Sequence, residues 1–320
     1  MASKFRLYNQ RETTMQLLNN KGSMLKVYSY LLAVLASITL FENNAFATSC
    51  DTATTINSLP YYITSPGTYC LADSMTFKTT SNSSIAAITI SASDVELDLN
   101  GNALKGRWAR TGSTPGTESG ITVTGYVNNV WIHNGSLVGL LNGVGQWTNT
   151  GSTTASNLVI QDLNFVDIKG NGVVLSGTCD SCSILNNAFY NMDSALCSTD
   201  CSAAYTYAIN VRYLSNSSIV GNKIMGLNTY GGQFPAYGMY ISYSSNVDVN
   251  DNTIVDEPFS TSNNTSIIVA SSSNINMSGN TFSNIYRGIW YFYSTGTYSS
   301  TTYVNTTIPY SGGTNGGGNQ

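Results

Sequence analysis

A single histidine among 320 residues leaves little material for nucleophilic catalysis. His133 stands in Trp131-Ile132-His133-Asn134, and strand alternation turns its side chain outward. It reads as a general base or metal ligand, or as a surface side chain on a rung. The second reading is adopted, because no second His and no Ser-His-Asp set accompanies it. Asp167 and Asp193 are candidates for the paired carboxyls of glycoside hydrolysis, which needs them roughly 5 to 9.5 Å apart; both also suit turns. Arg212 alternates outward after Val211. Asp248 also points outward, but on a different kind of strand. With no three-carboxylate cluster on one face, a calcium site lacks support, and no metal or other cofactor is expected. Asn210, Arg212, Tyr240, Trp290 and Phe292 fall at outward positions and form a candidate ligand-binding strip. Tyr207 and Tyr237 occupy equivalent positions, as do Tyr213 and Tyr243. Exposed aromatic faces stack on sugar rings and apolar ligands. The same strip could equally lie under loops or form stabilising ladders.

Such side chains need a scaffold that brings distant segments together, and the chain repeats itself at intervals of about 24 to 35 residues. The unit is apolar, any, apolar, two residues, Asn, any, apolar. It occurs at Leu97, Leu99, Asn102, Leu104; at Cys182, Ile184, Asn187, Phe189; and at Ile219, Asn222, Ile224. It recurs at Val247, Val249, Asn252, Ile254 and at Ile275, Met277, Asn280, Phe282. Two weaker copies put Gly135 and Leu163 in the Asn slot. A second short strand separates the copies, as in Val173-Val174-Leu175, Ile209-Asn210-Val211 and Met239-Tyr240-Ile241, often preceded by Gly or Ala. No single unit can bury its apolar face alone. Coils stacked about 4.8 Å apart would pair their backbones and merge their apolar faces into one core. The Asn is expected to take the left-handed bend between strands and to bond to the same amide one coil away. A second turn column follows at Gly106, Gly139, Asp167, Asn191, Gly226, Asp256 and Asn284. The predicted fold is all-β: a single-stranded, right-handed parallel β-helix of about seven or more coils. The patterns of leucine-rich repeats, calcium-binding nonapeptides and β-propellers are absent, and a sandwich would not repeat the Asn slot.

The stretch from Ile63 to Leu71, followed by Ile88-Thr-Ile-Ser-Ala-Ser-Asp-Val-Glu-Leu-Asp-Leu-Asn-Gly101, resembles the opening coils of the pectate-lyase-like superfamily of parallel β-helix proteins. The resemblance spans about residues 55 to 293. It implies the fold; for activity it implies only a superfamily of lyases, hydrolases, epimerases and adhesins. Pectin hydrolases of this fold carry Asn-x-Asp, Asp-Asp, Gly-His-Gly and Arg-x-Lys. Here Asn191-Met192-Asp193 matches the first and nothing matches the rest. Pectate lyases of this fold set an acidic calcium cluster opposite a catalytic Arg, and the resemblance implies Arg212 as the candidate for that role.

Residues 1–47 read as a leader: Lys21 and Lys26, an apolar run from Leu31 to Phe41, then Ala45-Phe46-Ala47. The run has 11 residues, against roughly 20 for a membrane span, so cleavage is expected rather than anchoring. Translation could start at Met1 or Met24. The leader holds five Lys/Arg and two Asp/Glu, leaving eight basic against fifteen acidic residues, a net of −7. That balance argues against nucleic-acid partners. Residues 48–310 are expected to form the β-helix with an N-terminal cap, and 311–320 a flexible tail. All six cysteines follow the leader, which in an exported chain points to disulfides. Cys50 is expected to pair with Cys70. Cys179, Cys182, Cys197 and Cys201 allow three pairings, or a four-Cys zinc site if the chain stayed in the cytosol. The expected role is an exported, secreted, surface or periplasmic module that binds a polysaccharide, surface glycan or protein without catalysis. A polysaccharide lyase or glycoside hydrolase is the alternative, and a passive spacer the third reading.

Overall fold

The computed structural model describes residues 50–78, 85–106, 118–146, 153–193, 206–228, 236–256 and 264–320, without the side chains of Asp193 and Asn228. The leader, Cys197, Cys201 and the Asp193 carboxyl therefore lie outside the described residues. The described part is a right-handed parallel β-helix. Its only helical turn is the 3-10 turn Cys50–Thr52. Among the described residues no helix is long and apolar enough to cross a membrane.

Among the described residues, ten strands form one sheet, here the front sheet, from Tyr61–Ile63 to Ile308–Ser311, and nineteen form the back sheet. Every pairing joins one coil to the next in parallel: Ile209 lies beside Met239, Met239 beside Ile267, and Ile267 beside Ile289. All four are fully buried, each stabilising the fold by about 1.5–3 kcal/mol. The back sheet answers with Phe165, Phe189, Ile224, Ile254 and Phe282 in one inward row. Phe165 and Phe189 stack at 4.5 Å. This row explains the Gly noted before the front strands. A Cβ on Gly172 would lie 2.6 Å from the Phe189 ring, and one on Gly143 2.5 Å from Phe165.

The Asn column is a ladder, as expected. Asn187 Nδ2 donates to Asn222 Oδ1 (3.1 Å), Asn222 Nδ2 to Asn252 Oδ1 (3.0 Å), and Asn252 Nδ2 to Asn280 Oδ1 (3.1 Å). The left-handed bend, however, belongs to the preceding residue: Asn186, Gly221, Asp251 and Gly279 have φ of 54, 69, 56 and 67°. The slot Asn instead points inward and is buried. Its amide also donates to a carbonyl one coil back, as Asn222 does to Ile184, and its oxygen accepts the previous slot's N–H. An inward carboxamide thus satisfies backbone groups that the corner would leave orphaned in the core. In the second turn column Gly139, Asp167, Asn191, Gly226 and Asn284 are left-handed, as expected of turn residues.

The ends differ from expectation. At the N-terminal end, where a cap is expected, the chain already forms strands Thr54–Ile56, Tyr61–Ile63 and Gly67–Leu71, so coiling begins at once. The segment 311–320, expected to be flexible, contains strand Thr314–Gly317 paired with Gly296–Ser299. Asn319 Oδ1 accepts Thr301 N–H at 3.0 Å, resuming the ladder's work. A Gly-rich run suits a linker, but the edge of the preceding coil offers it a backbone template. Cys50 pairs with Cys70, as expected, and Cys179 pairs with Cys182.

Candidate functional site

The front sheet gathers most of the strip. Asn210, Tyr240, Ile268 and Trp290 are register partners in one outward row. Arg212, Ser242, Ala270 and Phe292 form the next row. Asn210, Tyr240 and Trp290 are half-buried, whereas Arg212 and Phe292 are exposed. Tyr207 stacks on Tyr237 at 5.2 Å and contacts Tyr240 at 5.6 Å. Asn210 Nδ2 donates to Asn171 Oδ1 at 3.1 Å. Trp290 meets Phe292 edge-on at 5.6 Å, and the Arg287 guanidinium lies 4.4 Å from the Trp290 ring.

Further exposed rings sit one residue beyond the row, at the corner leaving the front sheet. Tyr213, Tyr243, Ser271 and Tyr293 have φ of 58, 50, 50 and 49°. Holding a non-Gly residue in the left-handed region costs roughly 1–2 kcal/mol, least for Asn or Asp. Three corners nevertheless carry tyrosine, with exposures of 44, 52 and 83%. Tyr213 and Tyr243 stack at 5.5 Å, and Arg212 lies 5.7 and 5.5 Å from their ring centres. Phe292 packs against Tyr293 at 4.3 Å. Tyr293 and Arg287 were missed in the sequence reading. Tyr293 was findable, since it follows Phe292 as Tyr213 follows Arg212.

The carboxylate candidates do not join this face. Asp167 lies in the turn column whose next member is Asn191, and its N–H donates to Tyr190 O at 3.1 Å. Asp193 pairs instead with Asn228, two residues further on. Asp248 lies on the back sheet between Ser218 and Asn276. Among the described residues no three His, Cys, Asp or Glu side chains converge as a metal site. His133 is on the back sheet, hydrogen-bonded to Glu96. A cavity of about 690 Å³ lies at the C-terminal end between Tyr303, Tyr310 and Gln320, on the coil that follows Trp290, and none of Asn210, Arg212, Tyr240, Trp290 or Phe292 lines it.

The described coils stack in parallel, with one register shift at Tyr298/Ser299. The family described as right handed beta helix region matches residues 142–308, more than half of the chain. The chain belongs to this right-handed β-helix family. No curated protein matches it. Among solved structures it is similar to the enzymatically active domain of bacteriophage CBA120 tailspike protein 2. That match has 15% identity and a TM-score of 0.43, over 74% of this chain and 38% of that one. It is also similar to DFA-IIIase from Arthrobacter chlorophenolicus A6, with 11% identity and a TM-score of 0.46 over 75% and 53%. The β-helix chain thus spans about half or less of the length of these two structures.

Proposed function

We propose that this β-helix protein is exported and binds an anionic glycan at the corner of its front sheet, without catalysis. The observation that supports this is the tyrosine column at Tyr213, Tyr243 and Tyr293. These rings occupy backbone positions that Asn or Gly would fill at lower cost, and they stay exposed. Backbone strain kept at a surface site is a mark of function. Coil spacing of about 4.8 Å sets Tyr213 and Tyr243 at a pitch close to that of successive sugars in a chain, and Tyr293 lies two coils further on, past Ser271. Arg212, held against two of the rings, supplies a forked donor for a carboxylate or sulfate. The two disulfides suit the oxidising compartments that exported proteins reach.

A glycan array probed with the protein lacking residues 1–47 tests the reading. Uronate or sulfated glycans should bind, and Tyr243→Asn should weaken them by about tenfold, or about 1.4 kcal/mol. Unchanged binding by Tyr243→Asn and Arg212→Ala would remove the corner from consideration. Incubation with uronate polymers, with and without calcium, separates binding from cleavage: unsaturated products or new reducing ends would replace the binding reading with an enzymatic one.

A further inference from the structure

The back sheet carries a second constellation that the front-sheet reading does not use. On its outward face Thr68, Glu96, Trp131 and Val159 are successive register partners. The row continues as Ser183, Ser218, Asp248, Asn276 and Thr297, so Trp131 is its one aromatic member. A lone exposed apolar side chain needs no function. Trp131 is different, because a chain of contacts fixes it. Its ring stacks on His133 at 3.9 Å and 20°. His133 Nε2 lies 3.2 Å from Glu96 Oε1, and Thr68 Oγ1 donates to Glu96 Oε2 at 3.4 Å. Four side chains from three coils are thus ordered beside an open groove of about 440 Å³. Trp131 nevertheless keeps 39% of its surface exposed.

The opposite wall is also built. Asn129 Nδ2 donates to Asp94 Oδ1 at 2.8 Å, and Asn157 Nδ2 donates to Asn129 Oδ1 at 3.0 Å. All three residues are left-handed corners, with φ of 57, 56 and 51°. The groove therefore has an indole floor, an amide wall and two carboxylates, Asp94 and Glu96. No Lys or Arg lines it. Asp98, two residues beyond Glu96, is buried and does not line the groove. Its Oδ1 accepts Asn100 N–H at 2.6 Å and Asn134 Nδ2 at 2.9 Å.

We infer that this groove is a second sugar-binding site and that its ligand is an amino sugar, a pyranose bearing a free ammonium group. The apolar face of the ring lies on Trp131. The ammonium group sits between Asp94 and Glu96, and hydroxyls meet the amides of Asn129 and Asn157. A uronate would bring its own negative charge to two carboxylates and is excluded. This site is independent of the front-sheet proposal, on a different sheet and of opposite charge preference.

Calorimetric titration of the protein lacking residues 1–47 with glucosamine oligomers, N-acetylglucosamine oligomers and oligogalacturonate tests the inference. Glucosamine oligomers should bind, and N-acetylation should weaken them at least tenfold. Trp131→Ala and Glu96→Gln should each lose tenfold or more with an unchanged β-sheet circular dichroism spectrum, while Tyr243→Asn should change nothing here. Glu96→Gln keeps the shape of the side chain, so its loss reports charge rather than folding. No binding of glucosamine oligomers at millimolar concentration would overturn the inference, as would equal binding of the acetylated oligomers or full binding by Trp131→Ala.

Discussion

The front-sheet corner and the back-sheet groove come from one repeat but place their aromatic groups in opposite ways. At the corner the tyrosines occupy left-handed positions and the cation Arg212 accompanies two of the rings. In the groove the indole lies on a regular strand, the left-handed positions hold Asp94, Asn129 and Asn157, and the charges are acidic. In the groove local backbone preference and residue type agree; at the corner they conflict. A solenoid makes this contrast legible, because each column repeats the same backbone question with different side chains.

The buried ladder ties the coils that carry the front corner, and the groove coils stack on the first of them, so breaking it carries the largest expected effect. Asn222→Ala removes donations to Asn252 Oδ1, Ile184 O and Val220 O, and strands the Asn187 N–H and amide that its oxygen accepts. Leaving such buried groups unmet costs about 3 kcal/mol or more. Urea unfolding should show that loss, with front and back ligands released at one denaturant concentration. Release at two separate concentrations would mean that the coils melt independently, as one-dimensional repeats can.

The second prediction exchanges the charge preference. Arg212→Glu should cut uronate binding at the corner by tenfold or more and leave glucosamine binding in the groove intact. Both titrations on one sample check it. Loss of both ligands would show that the two sites share a single binding surface.

Much of this architecture was readable before any coordinates, and the reason is physical. Leu97, Ile184, Ile219 and Val249 alternate inward with period two, and the Asn slot recurs because one carboxamide solves the same backbone problem in each coil. The shift of the left-handed bend to Asn186 or Asp251 was not readable, since Asn suits both the bend and the inward slot. The groove was missed for another reason. Val95-Glu96-Leu97 shows an outward carboxylate, but its encounter with His133 and Trp131 crosses 37 and 35 residues and depends on loop lengths that fix the register. His133 was therefore read as a surface side chain, although its alternation outward was correct.

A third, smaller effect sharpens the conflict at the corner. Tyr243→Asn puts a residue that accepts φ of 50° where tyrosine now sits. It should raise stability by up to about 1 kcal/mol while weakening the front ligand. Thermal unfolding alongside the array checks both signs. A fall in stability would mean that the Tyr213 stack, and not binding, retains the ring.

The smallest effect concerns a corner that resembles the groove wall without the groove. Asn216 Nδ2 donates to Asp180 Oδ1 at 2.9 Å, and Asn246 and Asn274 extend the amide column, much as Asn129 and Asn157 follow Asp94. Beside this corner the outward row has Ser183 and Ser218, so no indole is present and no amino sugar should bind. The Ser215 hydroxyl, at 2.6 Å, and then the Asn216 amide hold the Asp180 carboxyl below its ordinary value. A depressed folded-state pKa stabilises the fold above the unfolded value and loses that contribution as pH falls through the folded one. Wild type should therefore lose stability relative to Asp180→Asn below about pH 4, near the unperturbed aspartate value. Melting temperatures of the two proteins at pH 6 and pH 3 check this, with glucosamine binding unchanged at pH 6. A gap between the proteins that stays constant across that range would show that the Ser215 and Asn216 contacts do not discriminate between the charged and neutral carboxyl.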